Sequence, residues 1–99
     1  MNLPILEPAM PDLEQENYYS VVIFNDDITP FEVVIFALQK VTGISVEVAE
    51  MVAKETHENG QAVVMSGLTK EKATDYSDQI AHYTKVDGIC PGLMVDIIK

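Results

Sequence analysis

The chain has few basic residues and a single cysteine, and each shortage excludes a class of partner or scaffold. Its 99 residues include 6 lysines and arginines against 16 aspartates and glutamates, a formal net charge of −10 at pH 7. Nucleic acid and anionic membranes are therefore disfavoured as partners, whereas cationic ligands and basic protein surfaces are favoured. Cys90 alone forms neither an internal disulfide nor a cysteine metal cluster, which is typical of proteins from a reducing compartment.

Long apolar runs and the signs of a secretory leader are also missing. No stretch of about 18 apolar residues exists, so we expect no membrane span. The first 17 residues, MNLPILEPAMPDLEQEN, lack the basic start of a signal peptide and contain three prolines and four acidic residues. We predict a mobile, acidic amino-terminal tail over 1–17 and one folded domain over 18–99.

Three segments have the composition of strands. YYSVVIF (18–24) is rich in β-branched and aromatic residues, and its nearly continuous apolar run is typical of a central strand. QAVVMS (61–66) predicts a short second strand, and GLMVDIIK (92–99) predicts a third.

The first helix has a strong start signal. Thr29 fits the N-cap position, Pro30 the first helical position, and Glu32 completes a capping box three residues after Thr29. The body, FEVVIFALQKVT, is apolar almost all round, so we expect it to be largely buried. Gly43 ends the helix.

Two more helices follow, and they complete the predicted fold. The second begins after Ser45 and ends at Gly60, and the third begins after Thr69. The second helix has an apolar stripe made of Val48, Ala49, Val52, Ala53 and Thr56. His57 lies four residues after Ala53, so we expect it on the same buried side. The order β-α-α-β-α-β predicts an α+β sandwich, in which a three-stranded, mostly antiparallel sheet packs against three helices.

Asn25-Asp26-Asp27, between the first strand and the first helix, is the segment that most suggests binding. Adjacent carboxylates repel each other, and no basic residue lies within twelve positions on either side. Asn and Asp also favour turns, and acids before a helix N-terminus suit its dipole, so a purely structural turn is an equal alternative. His57 likewise has an alternative as a core histidine or a favourable charge at a helix C-terminus.

Taken together, these residues have the chemistry of an ammonium site. A primary ammonium group offers three donors, and Asn25, Asp26 and a neutral His57 offer an amide oxygen, a carboxylate and an imidazole nitrogen as acceptors. The small and apolar residues around them are Thr29, Phe31, Val34, Ala53 and Thr56. A polar mouth above an apolar hollow suits a peptide with a free amino group and a bulky hydrophobic first side chain.

Two other functions stay open at this point. Asp26, Asp27 and His57 are also potential metal ligands or acid–base catalysts. Against an enzyme, His82 belongs to no motif, Cys90 lies in a predicted loop, and the acids lack the alternate spacing of a calcium site. The other alternative is an acidic protein-interaction domain, whose binding would not depend on a free amino terminus.

Two segments resemble a known family. NDDITPFEVVIFALQKVTG (25–43) followed by AEMVAKETHENGQAVV (49–64) is similar to the ClpS-type N-degron adaptors of AAA+ Clp proteases. The resemblance implies the same α+β fold, no catalysis and no cofactor. It implies peptide ligands that begin with Leu, Phe, Tyr or Trp, and delivery to a ClpA-like or ClpC-like unfoldase. It also implies a cytoplasmic location, in a bacterial cytosol or in a plastid stroma.

The resemblance also implies roles for individual residues. Asn25, Asp26 and His57 would hold the α-amino group, and Asp27 would shape the loop or meet the backbone of the second peptide residue. The implied side-chain pocket consists of Thr29, Phe31, Val34, Ala53, Thr56 and, from the last strand, Leu93.

Three positions depart from the family pattern. Phe31 and Ala53 stand where the family usually has methionines around the pocket. A larger residue on one wall and a smaller one opposite predict a reshaped pocket and an altered preference for the first residue. Thr74-Asp75-Tyr76 stands where the family tends to carry a basic residue used in docking on the unfoldase.

Overall fold

The computed structural model of the protein describes residues 18–99, so the predicted tail over 1–17 lies outside the described residues. Eight elements follow in chain order: β1 (Tyr19–Phe24), α1 (Phe31–Thr42), α2 (Val46–Asn59), β2 (Gln61–Leu68), α3 (Lys70–Tyr83), β3 (Lys85–Val86), β4 (Cys90–Pro91) and β5 (Val95–Ile98). The three predicted helices and three predicted strands are all present. The small hairpin of β3 and β4 was not predicted.

The main sheet has three antiparallel strands in the order β2-β1-β5, which confirms the predicted α+β architecture and the central position of β1. Ile23 in β1 is paired with Ala62 on one side and Val95 on the other. Val21 and Ile23 are fully buried against the helices, because alternate side chains of β1 face that layer. The apolar run of β1 is therefore explained by its central position.

Two parts of the predicted strand pattern are wrong. The last strand begins at Val95 and not at residue 92, and Cys90 lies in β4 and not in a loop. The Cys90 thiol donates to the Thr84 carbonyl at 3.2 Å, and the β3–β4 ladder pairs Val86 with Cys90. This tertiary packing orders a segment whose glycine and proline content suggested only a loop.

The ends of α2 and α3 follow the predicted signals. The Ser45 hydroxyl accepts from Val48 N–H at 3.2 Å, and the Thr69 hydroxyl accepts from Lys72 N–H at 3.0 Å. Each side chain thereby satisfies one of the free amide groups of a helix N-terminus. Gly60 ends α2 with a left-handed φ of 87°, a conformation that favours glycine.

The start of α1 differs from the predicted capping box. The helix begins at Phe31, Pro30 occupies the N-cap position, and no side chain caps it. The Thr29 hydroxyl instead donates to Asp26 Oδ2 at 2.8 Å. With Pro30 at the N-cap, Thr29 lies one residue before the capping position, and its hydroxyl is oriented toward the loop and not toward the first amides of α1.

The helices are less buried than their apolar content predicted. On α1 only Val34, Ala37 and Leu38 are buried, whereas Phe31 is 47% and Phe36 is 55% exposed. The prediction of a largely buried α1 is therefore wrong for its outer side, because the sheet and the other helices cover only one side of it. Phe36 packs edge-on against Tyr83 of α3, with ring centroids 6.2 Å apart.

The apolar stripe on α2 is shorter than predicted. Ala49, Val52, Ala53 and Thr56 are buried as predicted, but Val48 is 42% exposed. His57 is also exposed, contrary to the prediction of a buried side. Both residues lie next to the stripe on the helical wheel, where a small sheet leaves the edge of the helix face uncovered. Across residues 18–99, no helix is long and apolar enough to cross a bilayer.

Candidate functional site

A cavity of about 340 Å³ lies where the end of β1, the start of α1 and the last turns of α2 meet the residue Leu93. Ten residues line it: Asn25, Asp26, Asp27, Thr29, Phe31, Val34, Ala53, Thr56, His57 and Leu93. All ten were candidate site residues in the sequence, so the fold brings the whole predicted set together.

Two backbone hydrogen bonds hold the segments of the cavity against each other. Asn25 N–H donates to the Gly60 carbonyl at 3.0 Å, which joins the loop after β1 to the end of α2. Phe24 N–H donates to the Met94 carbonyl at 3.1 Å, which joins the end of β1 to the segment before β5. No local pattern predicts these two hydrogen bonds, although Gly60 was predicted to end α2.

The carboxylate of Asp26 organises the loop. Its Oδ1 accepts from Ile28 N–H at 3.0 Å and from Thr29 N–H at 2.9 Å, and its Oδ2 accepts from the Thr29 hydroxyl at 2.8 Å. A carboxylate has about four acceptor positions. Both positions on Oδ1 are therefore used, and one on Oδ2 remains for an incoming donor.

These hydrogen bonds keep Asp26 ionised. Partial burial by itself raises the pKa of its carboxyl, but hydrogen bonds from the backbone of Thr29 and Ile28 and from the Thr29 hydroxyl lower it by more, so the pKa lies below its ordinary value. Its ionisation stabilises the folded protein above the pKa of the unfolded chain, and that contribution is lost as the pH falls through the lower folded pKa. At neutral pH the cavity mouth holds a permanent negative charge.

Asn25 and Asp27 form a second pair in the loop. Asn25 Nδ2 donates to Asp27 Oδ1 at 2.8 Å. Because an ionised carboxylate only accepts hydrogen bonds, this contact determines the amide orientation and leaves Asn25 Oδ1 free as an acceptor. Asp27 has a left-handed φ of 60°, which Asp tolerates better than most residues.

The interior of the cavity is apolar and buried. Val34, Ala53 and Leu93 are at most 8% exposed, and Thr56 is equally buried. The Thr56 hydroxyl donates to the Val52 carbonyl at 2.7 Å, so its proton is used within α2. Phe31, which is half exposed, stands at the rim, while the small Ala53 lies inside. The large Phe31 and the small Ala53 therefore occupy different depths of the cavity.

His57 lies at the mouth with the loop residues. It belongs to the last turn of α2, three residues before Gly60, and it lines the cavity while remaining exposed. The imidazole is therefore reached from solvent as well as from the cavity. The alternative of a core histidine is therefore wrong. Because His57 lines the same cavity as Asp26 and Asp27, its imidazole is suited to accept from a donor group at the mouth.

Thr84 supports the wall of the cavity, although it was not among the predicted site residues. It is fully buried at the end of α3, and its hydroxyl accepts from Leu93 N–H at 2.8 Å. No local pattern marks this contact, because the two residues lie nine positions apart and belong to no common helix or ladder.

The described residues contain no cluster of side chains that would support the alternative of a metal site. Within the described range 18–99, no three His, Cys, Asp or Glu side chains come close enough together to hold a metal ion. The buried side-chain nitrogen and oxygen atoms of this range all have hydrogen-bond partners, so none points unpaired into the cavity.

The comparison with protein families decides the assignment. Residues 14–96 match the family described as ATP-dependent Clp protease adaptor protein ClpS. The chain belongs to the ClpS family. This confirms the resemblance found in residues 25–43 and 49–64, and it identifies the chain as a member of a family of adaptors.

A solved structure of a ClpS protein agrees with this assignment. Agrobacterium tumefaciens ClpS2 bound to L-phenylalaninamide is 28% identical in sequence and superposes with a TM-score of 0.75, covering 84% of this chain and 96% of that one. The ClpS fold is therefore shared over nearly the whole length of that relative. Its ligand is the amide of an amino acid with a free amine and an aromatic side chain.

Proposed function

We propose that this ClpS protein binds N-degrons, by holding the free α-amino group and the bulky hydrophobic first side chain of a peptide, and delivers them to a Clp AAA+ unfoldase. The observation that carries the proposal is the division of one cavity into an anionic mouth and a buried apolar interior. The ligand of the similar ClpS2 structure, L-phenylalaninamide, combines a free amine with a bulky hydrophobic side chain.

Three acceptors at the mouth match the three donors of an ammonium group. Asn25 offers the Oδ1 that its bond to Asp27 leaves free, and Asp26 offers the unused position on Oδ2. His57 offers an imidazole nitrogen when neutral. Asp27 acts by orienting Asn25 and adds a second negative charge. The loop is thus built before the ligand arrives, and binding costs little reorganisation.

The apolar interior accepts the first side chain. Burying an aromatic or leucine side chain contributes about 1.5–3 kcal/mol. Two or three charge-assisted hydrogen bonds add about 1.5–3 kcal/mol each. Lost translational and rotational freedom opposes binding by at least about 4 kcal/mol. The net is at most about 8 kcal/mol, and the larger contributions give a dissociation constant between about millimolar and micromolar, which suits an adaptor that must release its cargo.

Delivery requires a second surface that contacts the unfoldase. Asp75 on α3 is exposed and accepts from Gln79 Nε2 at 2.8 Å, so this helix presents an acidic side chain where the family tends to have a basic one. We assign delivery to a ClpA-like or ClpC-like unfoldase on the family relationship, and the acidic helix favours a partner with a basic docking face.

The test of N-degron binding is fluorescence anisotropy with short labelled peptides that begin with Leu, Phe, Tyr, Trp, Ile or Met. Each peptide is measured with a free and with an acetylated amino terminus. Acetylation removes the positive charge and two of the three N–H donors of the amino group, so we expect a loss of at least about 2 kcal/mol, or roughly thirtyfold in affinity. Equal binding of both forms would instead support the acidic interaction domain.

Binding is also expected to depend on pH through His57. Asp26, with its lowered pKa, stays ionised down to about pH 5.5, so a change of affinity between pH 8 and pH 5.5 does not come from its carboxyl. A protonated His57 would repel the ammonium group, so we expect affinity to fall at least about fivefold across this range. Titrations of a Phe-starting peptide at several pH values measure the effect, and His57→Asn should flatten the profile. An affinity that is constant across the range would exclude His57 as an acceptor.

A further inference from the structure

Leu93 lines the cavity, yet it belongs to no strand. β4 ends at Pro91 and β5 begins at Val95, so the sheet does not determine where this side chain lies. Its backbone N–H donates to the Thr84 hydroxyl at 2.8 Å. The part of the cavity wall formed by Leu93 is therefore attached to the end of α3 through the Thr84 side chain.

Thr84 is itself held in one orientation. It is fully buried, and its hydroxyl donates to the Ile80 carbonyl at 2.8 Å while accepting from Leu93 N–H. Its own carbonyl accepts from the Cys90 thiol at 3.2 Å. With the hydroxyl bonded on both sides, neither Thr84 nor the amide of Leu93 is free to move independently of α3.

Gly92 brings the same segment into close contact with α3. It has a φ of 102°, and a Cβ at this position would lie 2.7 Å from the Ala81 carbonyl oxygen. The chain thus passes the last turn of α3 at a distance that only glycine allows. The hydroxyl contact and the glycine contact together locate Leu93 relative to that turn.

We propose that Thr84 is a positioning residue that sets the depth and shape of the first-residue pocket by holding Leu93. The inference rests on the proposed binding of N-degrons in this cavity. Packed interiors transmit small shifts, so a displaced Leu93 changes the space left for a first side chain. The change differs between branched, aromatic and bicyclic side chains, and Thr84 therefore acts on selectivity among bulky residues.

The test compares two variants at Thr84 with one control variant at Thr42. Thr84→Val keeps the shape of the side chain and removes the hydroxyl, whereas Thr84→Ser keeps the hydroxyl. Thr42→Val is the matched control, because the Thr42 hydroxyl at the end of α1 also donates to a carbonyl one turn earlier, Leu38 at 2.7 Å, and accepts from the Ile44 N–H at 3.4 Å. Thr42 does not line the cavity.

The readout is the ratio of dissociation constants for free peptides that begin with Phe, Leu and Trp. We expect Thr84→Val to change at least one ratio by about threefold or more, a typical size for small changes in an apolar pocket. Thr84→Ser and Thr42→Val should retain the wild-type ratios, even if Thr42→Val lowers the melting temperature. In a Leu93→Ala background, Thr84→Val should have no further effect on the ratios.

The outcomes separate this inference from the proposed function. If the wild-type protein binds none of the peptides, or ignores acetylation, the proposed function fails. If it binds them and Thr84→Val retains every ratio, the role of Thr84 is overturned. If the Thr84→Val protein does not fold, amide hydrogen exchange is measured on the wild type instead. Exchange of the Leu93 amide as slow as that of the Val22 amide in β1 supports the contact, and exchange at the rate of an open loop overturns it.

Discussion

Replacing Asp26 with asparagine is expected to remove most of the affinity for peptides with a free amino terminus. The substitution keeps the shape of the side chain and an oxygen that accepts from Ile28 and Thr29 N–H, but it removes the charge. The amide nitrogen that replaces Oδ2 donates and cannot accept from an ammonium group, so the charge-assisted hydrogen bond is lost. That loss costs about 1.5–3 kcal/mol, or roughly ten- to 150-fold in affinity. Anisotropy titrations with a Phe-starting peptide measure the loss.

Asparagine is preferable to alanine here because Asp26 has two roles. Asp26→Ala would also delete three hydrogen bonds within the loop, so lost binding would not separate the turn from the ammonium site. Circular dichroism and a thermal melt establish that Asp26→Asn is folded.

Asp96→Asn is the matched control for net charge. Asp96 is exposed on β5, accepts from Ile97 N–H at 2.8 Å and lies outside the cavity. We expect this variant to bind as the wild type does. A folded Asp26→Asn protein with unchanged affinity would reduce the Asn-Asp-Asp loop to a structural turn.

The second large effect is expected on stability, from Gly92→Ala. The added Cβ would meet the Ala81 carbonyl oxygen at 2.7 Å, and a backbone atom of a helix cannot move aside as the end of a side chain can. Overpacking together with a left-handed backbone costs about 2–4 kcal/mol. In a domain of this size that corresponds to a fall in melting temperature of roughly 10–25 °C.

Gly88→Ala separates the collision from the backbone strain. Gly88 also has a positive φ, 78°, but a Cβ there would meet nothing within 4 Å. The Gly88→Ala variant should therefore lose about 1 kcal/mol of folding free energy, which is the cost of the backbone strain alone. Thermal melts of the two variants give the difference directly. Equal melting temperatures would show that the chain moves away from α3 at little cost, and that Gly92 does not tie Leu93 to that helix.

Local signals in the sequence correctly predicted where α2 and α3 begin. Ser45 and Thr69 cap α2 and α3 as expected. The capping box at Thr29 failed because α1 begins at Phe31 with Pro30 at its N-cap, so Thr29 lies one residue before the capping position and its hydroxyl donates to Asp26. A pattern of residue types shows which hydrogen bonds a side chain is able to make, but it does not show at which residue the helix begins.

The residues that line the cavity were predictable from the sequence. The contacts that hold its wall in place and the exposure of its rim were not. The loop residues and the stripe on α2 follow from spacing, and the resemblance to ClpS adds Leu93. Thr84 and Gly92 contribute only through contacts made after folding, so no spacing identifies them. The exposure of Phe31 depends on how much of α1 the sheet and the other helices cover, and the sequence of a helix that is apolar all round does not show which side is covered.

The bond between Asn25 N–H and the Gly60 carbonyl has a consequence for the order of events in a cell. The mouth of the cavity combines a loop and a helix end that are 35 positions apart, and its far wall lies at Leu93. A nascent chain on the ribosome therefore has no cargo site until nearly all of this domain has emerged. A proteolytic fragment lacking either end of the 25–93 span has none either. The adaptor is thereby unable to capture N-degrons before it is itself fully folded.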